Sequence, residues 1–311
     1  MNILKHCHQV SGQNFPKNLF LNKHMRKILV TGASGQLGWE LSQLASSFPQ
    51  YEMIFTDRSK LDLSQPNALA AVINEIAPDA IINTAAYTAV DKAESEKELA
   101  MAVNAKSVEQ MAAIAFARNI PFITFSTDYV FTGNASTPYT TETALAPLNF
   151  YGSTKAEGER LAIAANPNTI IIRTSWVFSV HGNNFVKSMI RFMKERDVLN
   201  IVSDQKGRPT YAKDLAMATM KMIVALEGGQ KIKGIYHFAN KGETTWYEYC
   251  KKIQSLVGLT CQINSILTAD FPTPAKRPAY SVLDTEKIEK ELSLTIPHWE
   301  TSLKECISKL R

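Results

Sequence analysis

No apolar run in the chain approaches the roughly 18–20 residues of a bilayer span, so no membrane partner is expected. Cysteine is scarce and scattered. Cys7, Cys250, Cys261 and Cys306 form no CxxC pair and have no histidine at ligand spacing. That argues against a zinc or disulfide framework and fits reduced thiols in a cytoplasmic protein. A charge excess is also missing from the body of the chain. The net charge is +5, but residues 1–24 carry Lys5, Lys17 and Lys23 with no acid. The remaining 31 basic and 29 acidic residues nearly cancel. No basic, aromatic-laced run is present, so no nucleic-acid partner is expected. Residues 1–24 also lack the continuous apolar core of a signal peptide. They read as an extension or an upstream start, partly disordered, with the folded body beginning near Met25.

What is present is a chain of 311 residues, enough for one large or two modest domains. Arg26–Thr31 (RKILVT) is a short apolar, β-rich run that turns directly into Gly32-Ala-Ser-Gly35-Gln-Leu-Gly38. A strand, a glycine turn and a helix from Leu37 to about Ser46 make the first unit of a dinucleotide fold. Gly32 permits the tight turn. Gly35 lets backbone N–H groups approach a pyrophosphate at the helix N-terminus. Gly38 lets the helix pack close to the strand. The loop positions Gly32, Ser34, Gly35, Gln36, Leu37 and Gly38 are the expected phosphate cradle.

A second strand, Glu52–Thr56, ends at Asp57-Arg58. An acid there suits the adenosine ribose hydroxyls and a base suits a 2′-phosphate, so NADPH and NADH both stay open. Asp62 and Leu63 follow, where a loop touches adenine. After a helix over Pro66–Ile76, the buried strand Ala80–Asn83 leads into Ala85, Ala86 and Tyr87, small enough at first to let a flat ligand lie close. Glu94–Arg118 reads as one long helical region containing Asn104, a further cofactor candidate. Pro121–Ser126 is the next strand, and its end places the hydroxyls of Ser126 and Thr127 where ligands sit in a parallel sheet. The strand Thr169–Thr174 leads to Trp176. The alternation implies an α/β, Rossmann-type, doubly wound parallel sheet. Residues 25–175 form mainly the NAD(P)-binding domain. Residues 176–311 form mainly a smaller C-terminal substrate-binding lobe, with some segments returning to the sheet.

A tyrosine and a lysine four apart share a helix face, and a nearby ammonium favours a phenolate. The chain has two such pairs, Tyr151–Lys155 and Tyr247–Lys251. Spacing alone does not choose between them.

Eight segments in order decide it. They are GASGQLGWEL (Gly32–Leu41), NTAAYTAVDKAE (Asn83–Glu94), STDYVF (Ser126–Phe131), YGSTKAEGE (Tyr151–Glu159), IRTSWVF (Ile172–Phe178), GNNF (Gly182–Phe185), DQKGRPT (Asp204–Thr210) and RPAYSVLD (Arg277–Asp284). Together they resemble the extended short-chain dehydrogenase/reductase superfamily, and within it the dTDP-4-dehydrorhamnose reductase family, from about Met25 to Arg311. The resemblance implies NADPH or NADH as cofactor and a dTDP-4-keto-6-deoxy-L-sugar as substrate. It selects Tyr151 as proton donor and Lys155 as the group that lowers its pKa and binds the nicotinamide ribose. Thr127 is implied to hold the carbonyl oxygen. Thr127, Asp128, Trp176, Asn184, Arg208 and Arg277 are the implied substrate contacts, with Ser281 as a further candidate. Some family members dimerise around a magnesium held by glutamates. Glu40 matches one ligand, but Lys213 stands at a second, so no metal is expected and the state is monomer or homodimer. The competing readings are another nucleotide-sugar reductase or epimerase, and a non-catalytic regulatory subunit of the same fold.

Overall fold

A computed structural model describes residues 26–310. The expectations for residues 1–24 and for a start at Met25 lie outside the described residues.

Six strands build the central sheet. They are β1 (Arg26–Thr31), β2 (Tyr51–Thr56), β3 (Ala80–Asn83), β4 (Phe122–Thr127), β5 (Ile170–Thr174) and, after four short strands elsewhere, β10 (Gly234–His237). The order is β10-β5-β4-β3-β1-β2, and every pairing is parallel. The chain runs outward from β1 to β2, then crosses back to place β3 on the other side of β1. Ligand crevices open at such a reversal, outside the carboxyl ends of the strands. The inner strands read as unbroken apolar runs because both faces are covered.

Helices α1 (Gln36–Leu44) and α8 (Ala212–Glu227) cover one face, around Ile28, Val30, Leu41, Ile82, Ile172 and Met220. Helices α2 (Leu69–Ile76), α5 (Ser107–Ala117) and α6 (Phe150–Ala165) cover the other, around Leu29, Ile81, Met111 and Phe122. The expected single helix over Glu94–Arg118 is broken. Its pieces are α4 (Lys97–Met101), a π-helical turn at Ala102–Lys106 and then α5, with a separate short α3 (Val90–Ala93) just before it. π-turns recur at functional sites because the inserted residue re-aims one side chain. Here that turn carries Asn104.

The lobe has its own aromatic core. Phe178, Tyr211, Tyr249 and Trp299 are buried with Val186, Met189, Leu303 and Cys306. It is assembled from α7 (Phe185–Glu195), α9 (Trp246–Val257) and α11 (Trp299–Ser308), with α10 (Glu286–Leu292) packed nearer the sheet. Its strands pair two by two: β6 (Val177–Phe178) with β9 (Thr210–Tyr211), β7 (Val198–Val202) with β12 (Gln262–Ile266), and β8 (Lys206–Gly207) with β11 (Thr244–Thr245). The segment 204–210 contributes to two of these ladders. No described helix is long and apolar enough to cross a membrane.

Candidate active site

A cleft of about 710 Å³ opens at the sheet reversal. Gly32, Ser34, Gly35, Gln36 and Leu37 line it, with Asp57, Arg58, Asp62, Leu63, Ala85, Ala86 and Tyr87, and Tyr151 and Lys155. Gly32 has φ +73°, and a Cβ there would stand 2.7 Å from the Ala85 nitrogen. Only glycine turns the chain this way while β1 and β3 stay this close. Helix α1 starts at Gly35 with no side chain capping its first N–H groups and no acid in its first turn. An uncapped helix N-terminus facing a cleft suits an anionic diphosphate, so these residues fit a dinucleotide cofactor. Gly38 lies behind the cleft wall, where a Cβ would meet the Gly32 carbonyl at 2.3 Å.

Just after β2, the Asp57 carboxylate accepts hydrogen bonds from the Ser59 amide (2.9 Å) and hydroxyl (2.6 Å). Those bonds hold its pKa below the usual carboxylate range. The Arg58 side chain is 77% exposed and meets Asp62 only at 3.5 Å. One oxygen of the acid is held by its own turn, and the exposed guanidinium lies beside Asp62.

Asn104 departs from the expected role. It is buried away from the cleft, and its side chain accepts from the Tyr87 N–H (2.9 Å) and donates to the Tyr87 carbonyl (3.0 Å) and the Thr154 hydroxyl (3.1 Å). It fixes the loop that lines the cleft and ties that loop to α6.

Helix α6 is pinned at its start. Asn149 caps it by accepting from the Gly152 N–H (2.8 Å), and the Glu94 carboxylate accepts from the Phe150 N–H (2.8 Å). Tyr151 and Lys155 therefore project from a fixed first turn and a half. Lys155 Nζ donates to the Phe125 carbonyl at 2.6 Å. Burial pushes its pKa down to about 8, opposed by the Glu159 carboxylate. Tyr151 does not show the depressed pKa expected from a neighbouring lysine. Burial pushes the phenol up to about 12, against the Thr127 hydroxyl, which favours the phenolate, and with the Asp128 charge, which disfavours it. The reason is burial, because a buried anion is expensive, and the ammonium donates to the Phe125 carbonyl.

Thr127 does not line the cleft, but its hydroxyl sits against the Tyr151 phenol, accepts the Tyr129 N–H (3.2 Å) and donates to Asp128 (2.9 Å). Asp128 is buried behind it, its pKa raised to about 6 by that burial and eased by the Ser281 and Thr127 hydroxyls. Ser126 does line the cleft, and its buried hydroxyl oxygen has no protein partner.

The lobe residues divide. Asn184 is a helix cap: it accepts from the Lys187 N–H (3.1 Å) and donates to Gln36 (3.0 Å) and the Ser179 carbonyl (2.7 Å). Those bonds stand where a substrate contact was expected. Its neighbour Asn183 lines the cleft instead. Arg277 is clamped by both oxygens of Asp91, at 3.1 and 2.8 Å. Arg208 donates to the Leu283 carbonyl (2.8 Å) and faces Glu243 at 3.6 Å, with its buried Nε unpartnered. Trp176 is half-buried and stacks on Trp246 with ring centroids 3.5 Å apart. Glu40 accepts from Ser179 (2.6 Å), and Lys213 pairs with Glu305 at 2.5 Å. Among the described residues no group of three or more His, Cys, Asp or Glu could hold a metal ion. In the second pair, Lys251 is exposed and bonds Gln254 at 3.4 Å.

Lys92, Phe125, Val177 and Asn183 also line the cleft and were missed. Lys92 and Asn183 lay inside the motifs NTAAYTAVDKAE and GNNF, so the signal was present but assigned to neighbours. Phe125 serves through its carbonyl, which no side-chain pattern reveals.

A profile of the family described as RmlD substrate binding domain matches residues 25–311. The chain is 41% identical to a dTDP-4-dehydrorhamnose reductase of Aggregatibacter actinomycetemcomitans, over 90% of this chain and 98% of that one. The fold is similar to the crystal structure of a dTDP-4-dehydrorhamnose reductase from Clostridium acetobutylicum, with TM-score 0.86, 40% identity, and 91% and 99% of the two chains covered. It is similar as well to the Bacillus anthracis reductase in complex with NADP, with TM-score 0.87, 35% identity, and 92% and 100% covered. With the glycine turn, the sheet order and the paired Tyr151 and Lys155 already in place, these matches establish that the chain belongs to the RmlD substrate binding domain family, alongside the dTDP-4-dehydrorhamnose reductases.

Proposed function

We propose that this chain is an NADPH-dependent oxidoreductase that reduces the C4 keto group of dTDP-4-dehydro-6-deoxy-L-mannose, giving dTDP-L-rhamnose. The observation that carries the reading is the single cleft that joins the Gly32–Leu37 turn to Tyr151 and Lys155, in a chain with full-length reductase relatives. When bound, the nicotinamide supplies the hydride. The chain supplies position and a proton. The uncapped start of α1 binds the diphosphate, and Ala85 and Ala86 leave room for flat groups. Arg58, exposed beside Asp57, takes the 2′-phosphate, which favours NADPH over NADH.

Tyr151 is the proton donor to the developing C4 alkoxide. Its raised pKa suits that direction, because the phenol starts protonated at neutral pH. Lys155, still mostly cationic near neutral pH, faces the ribose. Thr127, its hydroxyl turning from Asp128 to the substrate, holds the C4 oxygen beside the phenol. Trp176 forms the apolar wall for the sugar, and Arg208 meets the diphosphate. Asp128 touches substrate only through Thr127, and Arg277 holds its loop against Asp91. Residues 25–175 thus act mainly on the cofactor and 176–311 mainly on the sugar nucleotide.

The test follows NADPH absorbance after addition of the dTDP-4-keto-6-deoxy-L-sugar, in parallel with GDP- and UDP-keto sugars. Oxidation with the dTDP sugar is expected. Oxidation with only another nucleotide sugar would reassign the substrate. Cofactor binding with no oxidation in any case would favour a regulatory subunit.

A further inference from the structure

Four non-glycine residues among the described ones have a left-handed backbone: Ala77, Asn119, Trp176 and Ser293. Ala77 and Ser293 cap helix C-termini, and Asn119 follows the end of α5. That is the ordinary use of this conformation. Trp176, with φ 48°, has no such reason: it lies between β5 and β6. A bulky side chain in this region is strained by about 1 kcal/mol or more, and persists only where its surroundings over-determine it.

The surroundings do so from three sides. The Trp176 carbonyl accepts from the Thr210 N–H at 3.2 Å. The indole edge lies on Gly207, where a Cβ would stand 2.6 Å from the ring. One indole face is covered by Trp246, with an interplanar angle of 10°. Trp246 is itself fixed. It opens α9 behind the Thr245 cap, its Nε1 donates to Gln205 Oε1 at 3.2 Å, and Gln205 donates to the Thr268 hydroxyl at 3.0 Å. Phe185 closes the pair from the side, with its ring centroid 4.6 Å from that of Trp246. Beside this stack Trp176 keeps partial exposure.

We propose that Trp246, locked by Gln205, is a positioning residue that holds the strained Trp176 indole as a rigid wall for the sugar of the nucleotide-sugar substrate. This rests on the reading of Trp176 as the sugar-facing residue. Trp246 does not touch the reacting atoms; it removes the freedom Trp176 would otherwise lose on binding. Its effect belongs in substrate KM, not in cofactor binding.

The experiment measures KM and kcat for the dTDP-4-keto sugar, and NADPH affinity by fluorescence, in Trp246→Ala, Trp246→Phe, Trp176→Ala and the double alanine variant. An aromatic pair of this kind is worth a factor of about five in affinity. Trp246→Ala is expected to raise KM about fivefold with NADPH affinity unchanged, and Trp246→Phe, which keeps a stacking ring, to restore most of it. The double variant should match Trp176→Ala alone, because Trp246 acts only through Trp176. Equal losses of NADPH affinity and turnover in Trp246→Ala and Trp246→Phe would show a merely structural role and overturn the proposal. So would a normal KM in Trp246→Ala beside a raised one in Trp176→Ala, or additive effects in the double variant. A normal KM in Trp176→Ala would instead remove the reading of Trp176 on which the proposal stands.

Discussion

Replacing Asn104 by alanine tests whether the cleft loop is held from behind. The side chain is 1% exposed and makes three hydrogen bonds, two of them to the backbone of Tyr87. Thr154 keeps its bond to the Tyr151 carbonyl at 2.8 Å, so its loss is small. The Tyr87 N–H and carbonyl lose their partner. Each such bond is worth about 1 kcal/mol net, and more when the remaining group stays dry. The vacated volume adds on the order of 1 kcal/mol. The sum is a destabilisation of roughly 3 kcal/mol, or roughly 5–10 °C in melting temperature for a chain of this size. Because Ala85–Tyr87 line the cleft, NADPH affinity should fall with it, by about tenfold. Urea melts and NADPH titrations of Asn104→Ala measure both. A melt within about 0.5 kcal/mol of the parent, or unchanged NADPH affinity, would refute the argument that this π-turn residue positions the loop.

Other outcomes follow from the same geometry. The Lys155 pKa is lowered to about 8, so its charge is present below that pH and lost above it. NADPH affinity should therefore weaken as pH rises through about 8, with the step absent in Lys155→Met, and the stability penalty of burying this cation should stay constant below about 8 and fade between about 8 and its ordinary value of 10.5. Arg58→Ala should weaken NADPH about tenfold and leave NADH nearly unchanged, read by parallel titrations. Gly152→Ala places a Cβ 2.2 Å from the Tyr129 carbonyl, so α6 must move; circular dichroism should show a folded protein that has lost most of its turnover.

Much of the cofactor half was legible. β1 and β3 are short, apolar and flanked by turn residues, and the glycines after β1 have one physical use there. The Tyr–Lys pair could be chosen only once its neighbouring motifs were counted. What the sequence hid depends on distant contacts. The π-turn at Asn104 leaves the apolar periodicity intact, and its register is set by α6, where Gly158 has no room for a Cβ: it would lie 2.1 Å from the Asn104 carbonyl. Arg277 reads as a free loop cation until Asp91, 186 positions away, is seen to clamp it. Asn184 was legible but misread, since an asparagine directly before an amphipathic helix is an N-cap signature. The phenol of Tyr151 was expected to be easily ionised because spacing implies a lysine contact; the structure turns the ammonium to Phe125 instead.

The most direct measurement uses NADPH carrying deuterium at the nicotinamide C4 position, with dTDP-4-dehydro-6-deoxy-L-mannose as acceptor. The parent chain is expected to form dTDP-L-rhamnose with the label on sugar C4, one per NADPH oxidised. Tyr151→Phe is expected to bind NADPH normally and to form product about a thousandfold more slowly. Label at another carbon, no NADPH oxidation, or undiminished turnover in Tyr151→Phe would contradict reduction at C4 with Tyr151 as proton donor.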